Sequence, residues 1–179
     1  LPKGAMNTYG MAFYNAVNLG IPFRITPDSV ALTILPLFHT GGLNCYTSVC
    51  LHTGGTSLIM RAFEPGEVLR LIGDPDQAVT HFFGVPANYL FMSQHPEFAT
   101  TDFSRLVCAG IGGAPTPIPL LEQLRPDVLI KGGDYDIAGV VGGDIVQAYG
   151  GEVKLARFLD GHSSTAVIAR MGNHSNDGD

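Results

Sequence analysis

The segment LLEQLRPDVLIKGGDY, residues 120–135, decides the fold class that the sequence predicts. Within it, residues 127–130 form a short run rich in apolar side chains that ends at Lys131 and a glycine pair. Such a run between turn signals is typical of a buried strand that leads into a loop. In open α/β sheets, small molecules bind outside the carboxyl ends of such strands. A ligand site is therefore expected near Lys131 and Asp134, although two solvated charges on an ordinary loop would give the same pattern.

Short apolar runs of this kind alternate with helical stripes along the chain. The predicted strands cover residues 30–35, 56–60, 79–85, 105–109, 127–130 and 152–158. Between them, apolar residues at steps of three and four, with Pro in first turns, predict helices. The first predicted helix covers residues 5–19, another begins at Pro86 and ends near Gln94, and the last begins at residue 163. This alternation predicts a layered α/β fold with one largely parallel sheet flanked by helices.

Composition limits the classes of partner. The 179 residues contain 45% apolar and 15% charged side chains, and 10 Lys+Arg against 16 Asp+Glu give a formal net charge of -6. Nucleic acids and anionic membranes are bound through clustered cations, so this balance predicts neither as a partner. The longest apolar stretch, residues 30–38, is far shorter than a membrane-spanning helix.

The cysteines and the first residues indicate a compartment. Cys45, Cys50 and Cys108 show no metal-ligand spacing, and an odd number does not suit a disulfide framework. The chain opens on LPKG, without the basic and then apolar order of a signal peptide. These features predict a cytoplasmic protein without a cysteine-based metal site.

Four segments together resemble the family of AMP-forming acyl-CoA synthetases, also called adenylate-forming ligases. The segments are LPKG at residues 1–4, LPLFHTGGL at 35–43, GVPANY at 84–89 and GGAP at 112–115. Their order and spacing make the resemblance specific over residues 1–124. The resemblance implies an ATP-dependent ligase that uses Mg²⁺.

The same resemblance implies a role for each segment. Lys3 and Gly4 would belong to the loop that binds the ATP phosphates. His39 would move between the nucleotide pocket and the acyl or thiol pocket, although an ordinary hydrogen-bonded loop histidine explains it equally well without the family. Val85 and Pro86 would line the acyl pocket. The residues implied along the adenine are Gly112, Gly113, Ala114 and Pro115.

Several motifs of that family are missing from the sequence. No aromatic-Gly-x-Thr-Glu segment, whose Glu holds Mg²⁺ in the family, follows GGAP. The Ser/Thr/Gly part of the phosphate loop, the ribose-binding Asp and the C-terminal catalytic Lys are also missing. Because adenylation depends on metal and cation stabilisation of phosphates, the sequence predicts a catalytically incomplete chain with at most weak ATP binding.

From residue 124 onward the sequence resembles a second family. RPDVLIKGGDY, GGEV and GHSSTAVIAR are similar to the closing part of the adenylyltransferase module of bifunctional heptose-phosphate enzymes, a HIGH-type nucleotidyltransferase. That resemblance implies nucleotide contacts from the loop after one strand and from the start of the last helix. The implied residues are Lys131, Asp134, Ser163, Ser164 and Thr165. Ser163 fits equally well a plain N-cap worth about 1 kcal/mol.

The two resemblances predict a chain assembled from two incomplete parent folds. Residues 1–124 would be the acyl-CoA synthetase-like part, 125–171 the nucleotidyltransferase-like part and 172–179 a disordered tail. Two alternatives to the ligase-related function stay open: a non-enzymatic chimeric or structural α/β module without a ligand, and a sugar-phosphate adenylyltransferase. Because each parent fold normally covers its sheet with segments that this chain lacks, the apolar stretches 30–38 and 82–85 are expected to be uncovered and to favour a homo-oligomer.

Overall fold

The chain divides into two compact α/β units. A computed structural model describes residues 6–133 and 136–156, and the division between the units lies between Pro117 and Ile118. Every strand pairing within the described residues is parallel. The predicted α/β class with parallel strands and flanking helices is therefore confirmed. The division lies before the helix that ends at Leu124, whereas the sequence predicted a boundary after it.

The first unit contains a four-stranded parallel sheet. Its strands are β1 (Val30–Thr33), β2 (Thr56–Ile59), β3 (His81–Gly84) and β4 (Cys108–Ile111), which lie in the order β2-β1-β3-β4. Each strand overlaps a predicted one, with the largest displacement at β4, which begins three residues later than predicted. The two edge strands are β2 and β4.

Helices connect these strands and cover the sheet. They are α1 (Tyr9–Gly20), α2 (Thr40–Gly42), a π-helical turn (Leu43–Thr47), α3 (Ser48–Thr53), α4 (Pro65–Gly73), α5 (Pro86–Gln94) and a 3₁₀ turn (Pro96–Ala99). The first helix begins later than predicted because the Thr8 hydroxyl accepts a hydrogen bond from the Met11 N–H and caps it. In α5 the observed bounds agree with the predicted start at Pro86 and end at Gln94.

The central strands of the first unit, β1 and β3, are largely buried, which corrects one expectation. Ala31 packs with residues of α1, the π-helical turn and α3 in a buried cluster, and Phe82 is buried against Tyr89 of α5. The stretches 30–38 and 82–85 are thus not uncovered apolar faces. The exposed residues within them are 36–38, in the loop after β1, where Phe38 is 93% exposed.

Exposed apolar side chains are concentrated instead on α1. Tyr9 is 97%, Tyr14 66% and Met11 54% exposed, and the helix contains no charged residue. The hydrophobicity of the sequence could not predict that α1 would be exposed and β1 and β3 buried, because burial depends on which helices and strands pack together. Homo-oligomerisation stays a prediction, and within the described residues no helix is long and apolar enough to cross a membrane.

The second unit has a separate sheet. Strand β5 (Val128–Gly132) pairs in parallel with β6 (Glu152–Ala156), with α6 (Ile118–Leu124), a 3₁₀ turn (Ile137–Gly139) and α7 (Gly143–Ala148) in the same unit. The prediction of one sheet containing all six strands is wrong. The physical reason is that β5 and β6 share their own buried cluster, formed by Leu121, Val140, Val146 and Val153. The helix predicted from residue 163 and the tail 172–179 lie outside the described residues.

The close approach of β4 to two aromatic rings yields a stability prediction. A Cβ atom added at Gly110 would lie 2.8 Å from both Phe83 Cδ2 and Tyr46 Oη, whereas one at Gly112 would lie 3.5 Å from Phe83 Cζ. Because Tyr46 is buried, we expect Gly110→Ala to lower the free energy of unfolding by about 1–3 kcal/mol. The control Gly112→Ala should change it by no more than about 0.5 kcal/mol. Denaturant titration measures both values, and equal effects would contradict this packing.

Candidate functional site

The carboxyl ends of β1, β3 and β4 meet at one edge of the first sheet. The parallel register pairs Thr33 of β1 with Phe83 of β3, and Gly84 of β3 with Ile111 of β4. The chain then leaves β1 toward His39, β3 toward Val85 and β4 toward residues 112–115. Segments that are far apart in the sequence therefore converge where open α/β sheets bind ligands.

His39 caps the helix that follows the loop after β1. Its Nδ1 accepts a hydrogen bond from the Gly41 backbone N–H at 3.0 Å. Since that nitrogen acts as the acceptor, the proton of the neutral imidazole is on Nε2. The side chain is exposed, so Nε2–H can donate to an oxygen of a bound molecule.

Close backbone packing and hydrogen bonds from threonine hydroxyl groups fix the loop around His39. A Cβ atom at Gly42 would overlap the carbonyl oxygens of Leu35 and Pro36, so only glycine fits there. The Thr47 hydroxyl donates to the Gly42 carbonyl and accepts from the Thr33 hydroxyl at 2.6 Å. These bonds attach the π-helical turn to the end of β1, and π-helical turns are frequent at functional sites.

Val85 and Pro86 connect β3 to α5. The Val85 backbone N–H donates to Asn88 Oδ1 at 3.0 Å, which closes the first turn of the helix. Gly113 has a φ of 83°, in the left-handed region that favours glycine. A Cβ atom there would lie 3.4 Å from Val85 Cγ1. The residue predicted for the acyl pocket thus lies next to the loop predicted for adenine.

Hydrogen bonds fix the end of β4 against β3 and α5. The Tyr89 hydroxyl donates to the Gly110 carbonyl at 2.9 Å, and the Gly112 N–H donates to the Gly84 carbonyl at 3.2 Å. Burial raises the pKa of Tyr89, which keeps its hydroxyl protonated and able to donate. Tyr89 is buried, with 8% of its surface exposed. Its bond to Gly110 has no sequence signal, because it depends on how α5 packs.

Tyr46 lies beneath the same edge and was missed by the sequence analysis. Its hydroxyl is 3.2 Å from Cys108 Sγ, and its ring makes edge contacts with the rings of Phe23, His81 and Phe83. Burial and the hydrogen bond to Cys108 raise the pKa of Tyr46. The ring also lines a cavity of about 10 Å³, room for about one water molecule.

The structure describes one of the remaining predicted site residues, Lys131. Lys131 is exposed near the end of β5 in the second unit, where it pairs with Leu155 of β6. The other predicted residues lie outside the described ranges: Lys3, Gly4, Asp134, Ser163, Ser164 and Thr165. Within residues 6–133 and 136–156, no group of three or more His, Cys, Asp or Glu side chains could hold a metal ion.

Comparisons with known proteins place these features in a family. A feruloyl-CoA synthase from Amycolatopsis is 38% identical over 122 residues, which are 68% of this chain and 24% of that protein. The bifunctional protein HldE from Pseudomonas aeruginosa (strain LESB58) is 36% identical over 139 residues, covering 70% of this chain and 27% of that protein. The second match therefore extends beyond residues 124–171, which carried the second resemblance.

Solved structures with the same architecture include an ATP-bound crystal structure of MatB from Rhodopseudomonas palustris. It matches with a TM-score of 0.60 at 29% identity, over 66% of this chain and 23% of that chain. An o-succinylbenzoate CoA synthetase (MenE) from Bacillus subtilis matches with a TM-score of 0.57 at 31% identity, over 69% of this chain and 24% of that chain. This chain spans about a quarter of the length of the proteins it matches.

The sequence profile of the AMP-binding enzyme family matches residues 1–150, a range that extends to both sides of residue 124. A junction between two parent families remains a prediction. The relatives include a feruloyl-CoA synthase, and the matching solved structures include an o-succinylbenzoate CoA synthetase. The chain belongs to the AMP-binding enzyme family.

Proposed function

We propose that the first unit binds ATP at the carboxyl edge of its sheet, as the nucleotide-binding part of an adenylate-forming acyl-CoA ligase. The observation that supports this most directly is the convergence of His39, Val85 and residues 112–115 at one edge. A MatB structure that matches 66% of this chain contains bound ATP. Both the family membership and the place of the loops in the sheet therefore favour the same ligand class.

Each element of this edge contributes a different kind of contact. The 112–115 loop contains two glycines, which allow the backbone to approach the flat adenine ring closely. His39 presents Nε2–H to a phosphate or carboxyl oxygen, because Nδ1 already accepts from Gly41. Val85 and the buried Pro86 supply an apolar wall for an acyl group. Lys3 and Gly4 would extend the phosphate contacts.

We further propose that this chain binds the nucleotide without forming an acyl-adenylate. The sequence after Pro115 contains no aromatic-Gly-x-Thr-Glu segment, and the described residues supply no group of ligands for a metal. The Glu that would hold Mg²⁺ in the family, and with it the neutralisation of phosphate charge, therefore has no counterpart after Pro115. We therefore expect the residues at this edge to bind and orient the nucleotide only.

A second candidate is nucleotide binding by the second unit, as in a sugar-phosphate adenylyltransferase. The similarity to HldE favours it, together with the resemblance of residues 124–171 to a nucleotidyltransferase. In this case Lys131, near the carboxyl end of β5, would contact the phosphates, with Asp134 and Ser163–Thr165 as further contacts. The third possibility is a module without a nucleotide ligand.

ATP should stabilise the chain against thermal unfolding through the first unit. If Kd is on the order of 1 mM, 5 mM ATP adds about 1 kcal/mol through RT ln(1 + [L]/Kd) and raises Tm by about 2–4 °C. His39→Asn should reduce this shift, because asparagine preserves the N-cap and removes the imidazole Nε2–H. The matched variant Lys131→Ala should leave the shift unchanged.

Two outcomes of the melt would contradict the proposal. A shift that Lys131→Ala abolishes and His39→Asn preserves would assign binding to the second unit. A Tm that ATP does not move, with and without Mg²⁺, would favour the module without a ligand.

Pyrophosphate release should be absent. With ATP, Mg²⁺, CoA and an aromatic or fatty acid, we expect no pyrophosphate above the rate without protein, since the metal-binding segment after Pro115 is missing. A coupled pyrophosphate assay measures this rate. Release that requires ATP, acid and protein together, and that His39→Ala reduces, would show that the chain is catalytically complete.

A further inference from the structure

We propose that Tyr89 is a positioning residue that holds the 112–115 loop in the conformation that receives the nucleotide. This inference rests on the proposed ATP site. Tyr89 is the last residue of the GVPANY segment, and the family resemblance implied no contact for it. The starting observation is the 2.9 Å hydrogen bond from the Tyr89 hydroxyl to the Gly110 carbonyl. Gly110 lies in β4 two residues before the loop, so this bond fixes the peptide from which the loop departs.

The environment of Tyr89 makes the bond persistent. Tyr89 is 8% exposed, and its ring packs edge-on against Phe82 with a centroid separation of 5.4 Å. A buried hydroxyl that lost its acceptor would leave an unsatisfied polar group, which is more costly than the net value of the bond. Neither the ring nor the hydroxyl can therefore move away without disturbing β3 and β4 together.

A second tyrosine constrains the same peptide from another direction. Tyr46 Oη would lie 2.8 Å from a Cβ atom at Gly110, and the Tyr46 hydroxyl contacts Cys108 Sγ at 3.2 Å. The Gly112 N–H to Gly84 carbonyl bond then fixes the next part of the chain. The left-handed turn at Gly113 thus departs from a backbone held by α5, by the π-helical turn and by β3.

A fixed backbone conformation of the 112–115 loop matters because this loop is proposed to approach the adenine ring of ATP. A loop that must be ordered during binding loses conformational entropy at that moment, which weakens affinity. A loop that is already ordered avoids that loss. Removal of the Tyr89 hydroxyl should therefore loosen the loop before any ligand is added and should weaken nucleotide binding for the same reason.

The first arm of the test uses the full chain without ligand. Tyr89→Phe keeps the ring contact with Phe82 and removes only the hydroxyl. The matched control is Tyr149→Phe, which removes a tyrosine bond of the same 2.9 Å length to the Pro126 carbonyl in the second unit. Amide hydrogen exchange is measured at Gly112 relative to Leu32 in β1. We expect this ratio to rise about fivefold in Tyr89→Phe and to stay constant in Tyr149→Phe.

The second arm measures the ATP dissociation constant of the wild type, of Tyr89→Phe and of Tyr149→Phe. We expect Tyr89→Phe to bind ATP about fivefold more weakly than the wild type, and Tyr149→Phe to bind it equally well. An unchanged Gly112-to-Leu32 ratio in Tyr89→Phe would overturn the positioning role, because it would mean that the hydroxyl stabilises only the fold. An unchanged ATP affinity in Tyr89→Phe would overturn it as well.

Failure of the proposed function gives a different result. If the wild-type chain binds no ATP at any attainable concentration, the nucleotide site is wrong. The exchange arm then still decides whether Tyr89 orders the loop, because it contains no ligand.

Discussion

The parallel pairing of β1 with β3 and of β3 with β4 is the constraint on which the site depends. It places three strand ends at one edge, so the loops toward His39, Val85 and residue 112 must leave the sheet together. The pairing is possible because Ala31 and Phe82 are covered by helices on the sheet. A slip of one residue in β3 would turn Phe82 away from α5 and would separate the loops at the same time.

The short distance between β4 and its neighbouring aromatic rings also explains why glycine occupies this edge. Aromatic side chains fill the space beside β4, so a side chain at Gly110 would collide with Phe83 and Tyr46. Hydroxyl groups then satisfy two backbone carbonyls: Tyr89 donates to Gly110 in β4, and Thr47 donates to Gly42 in α2. Glycines and hydroxyl groups thus hold the loops in position, and His39 lies exposed on one of these loops.

Local patterns predicted the elements but not their long-range arrangement. The strands near residues 30, 56 and 81 follow from apolar runs bounded by turn signals, and Pro86 predicted the start of α5. The grouping of His39, Val85 and residues 112–115 came from the family resemblance. The separation of β5 and β6 into their own sheet could not be predicted, because it depends on a cluster that joins Leu121 to Val153. The Tyr89–Gly110 bond was likewise hidden, since it requires the packed position of α5.

Titration of the ¹⁵N-labelled full chain with ATP, followed by amide chemical shifts, locates the nucleotide. We expect the largest shifts at His39, Gly112 and Gly113, and we expect them to saturate with one common Kd. These residues lie at one edge of the first sheet, so their response would locate the nucleotide there. Shifts confined to Lys131 and its neighbours in the second unit, or no shifts at all, would contradict the account.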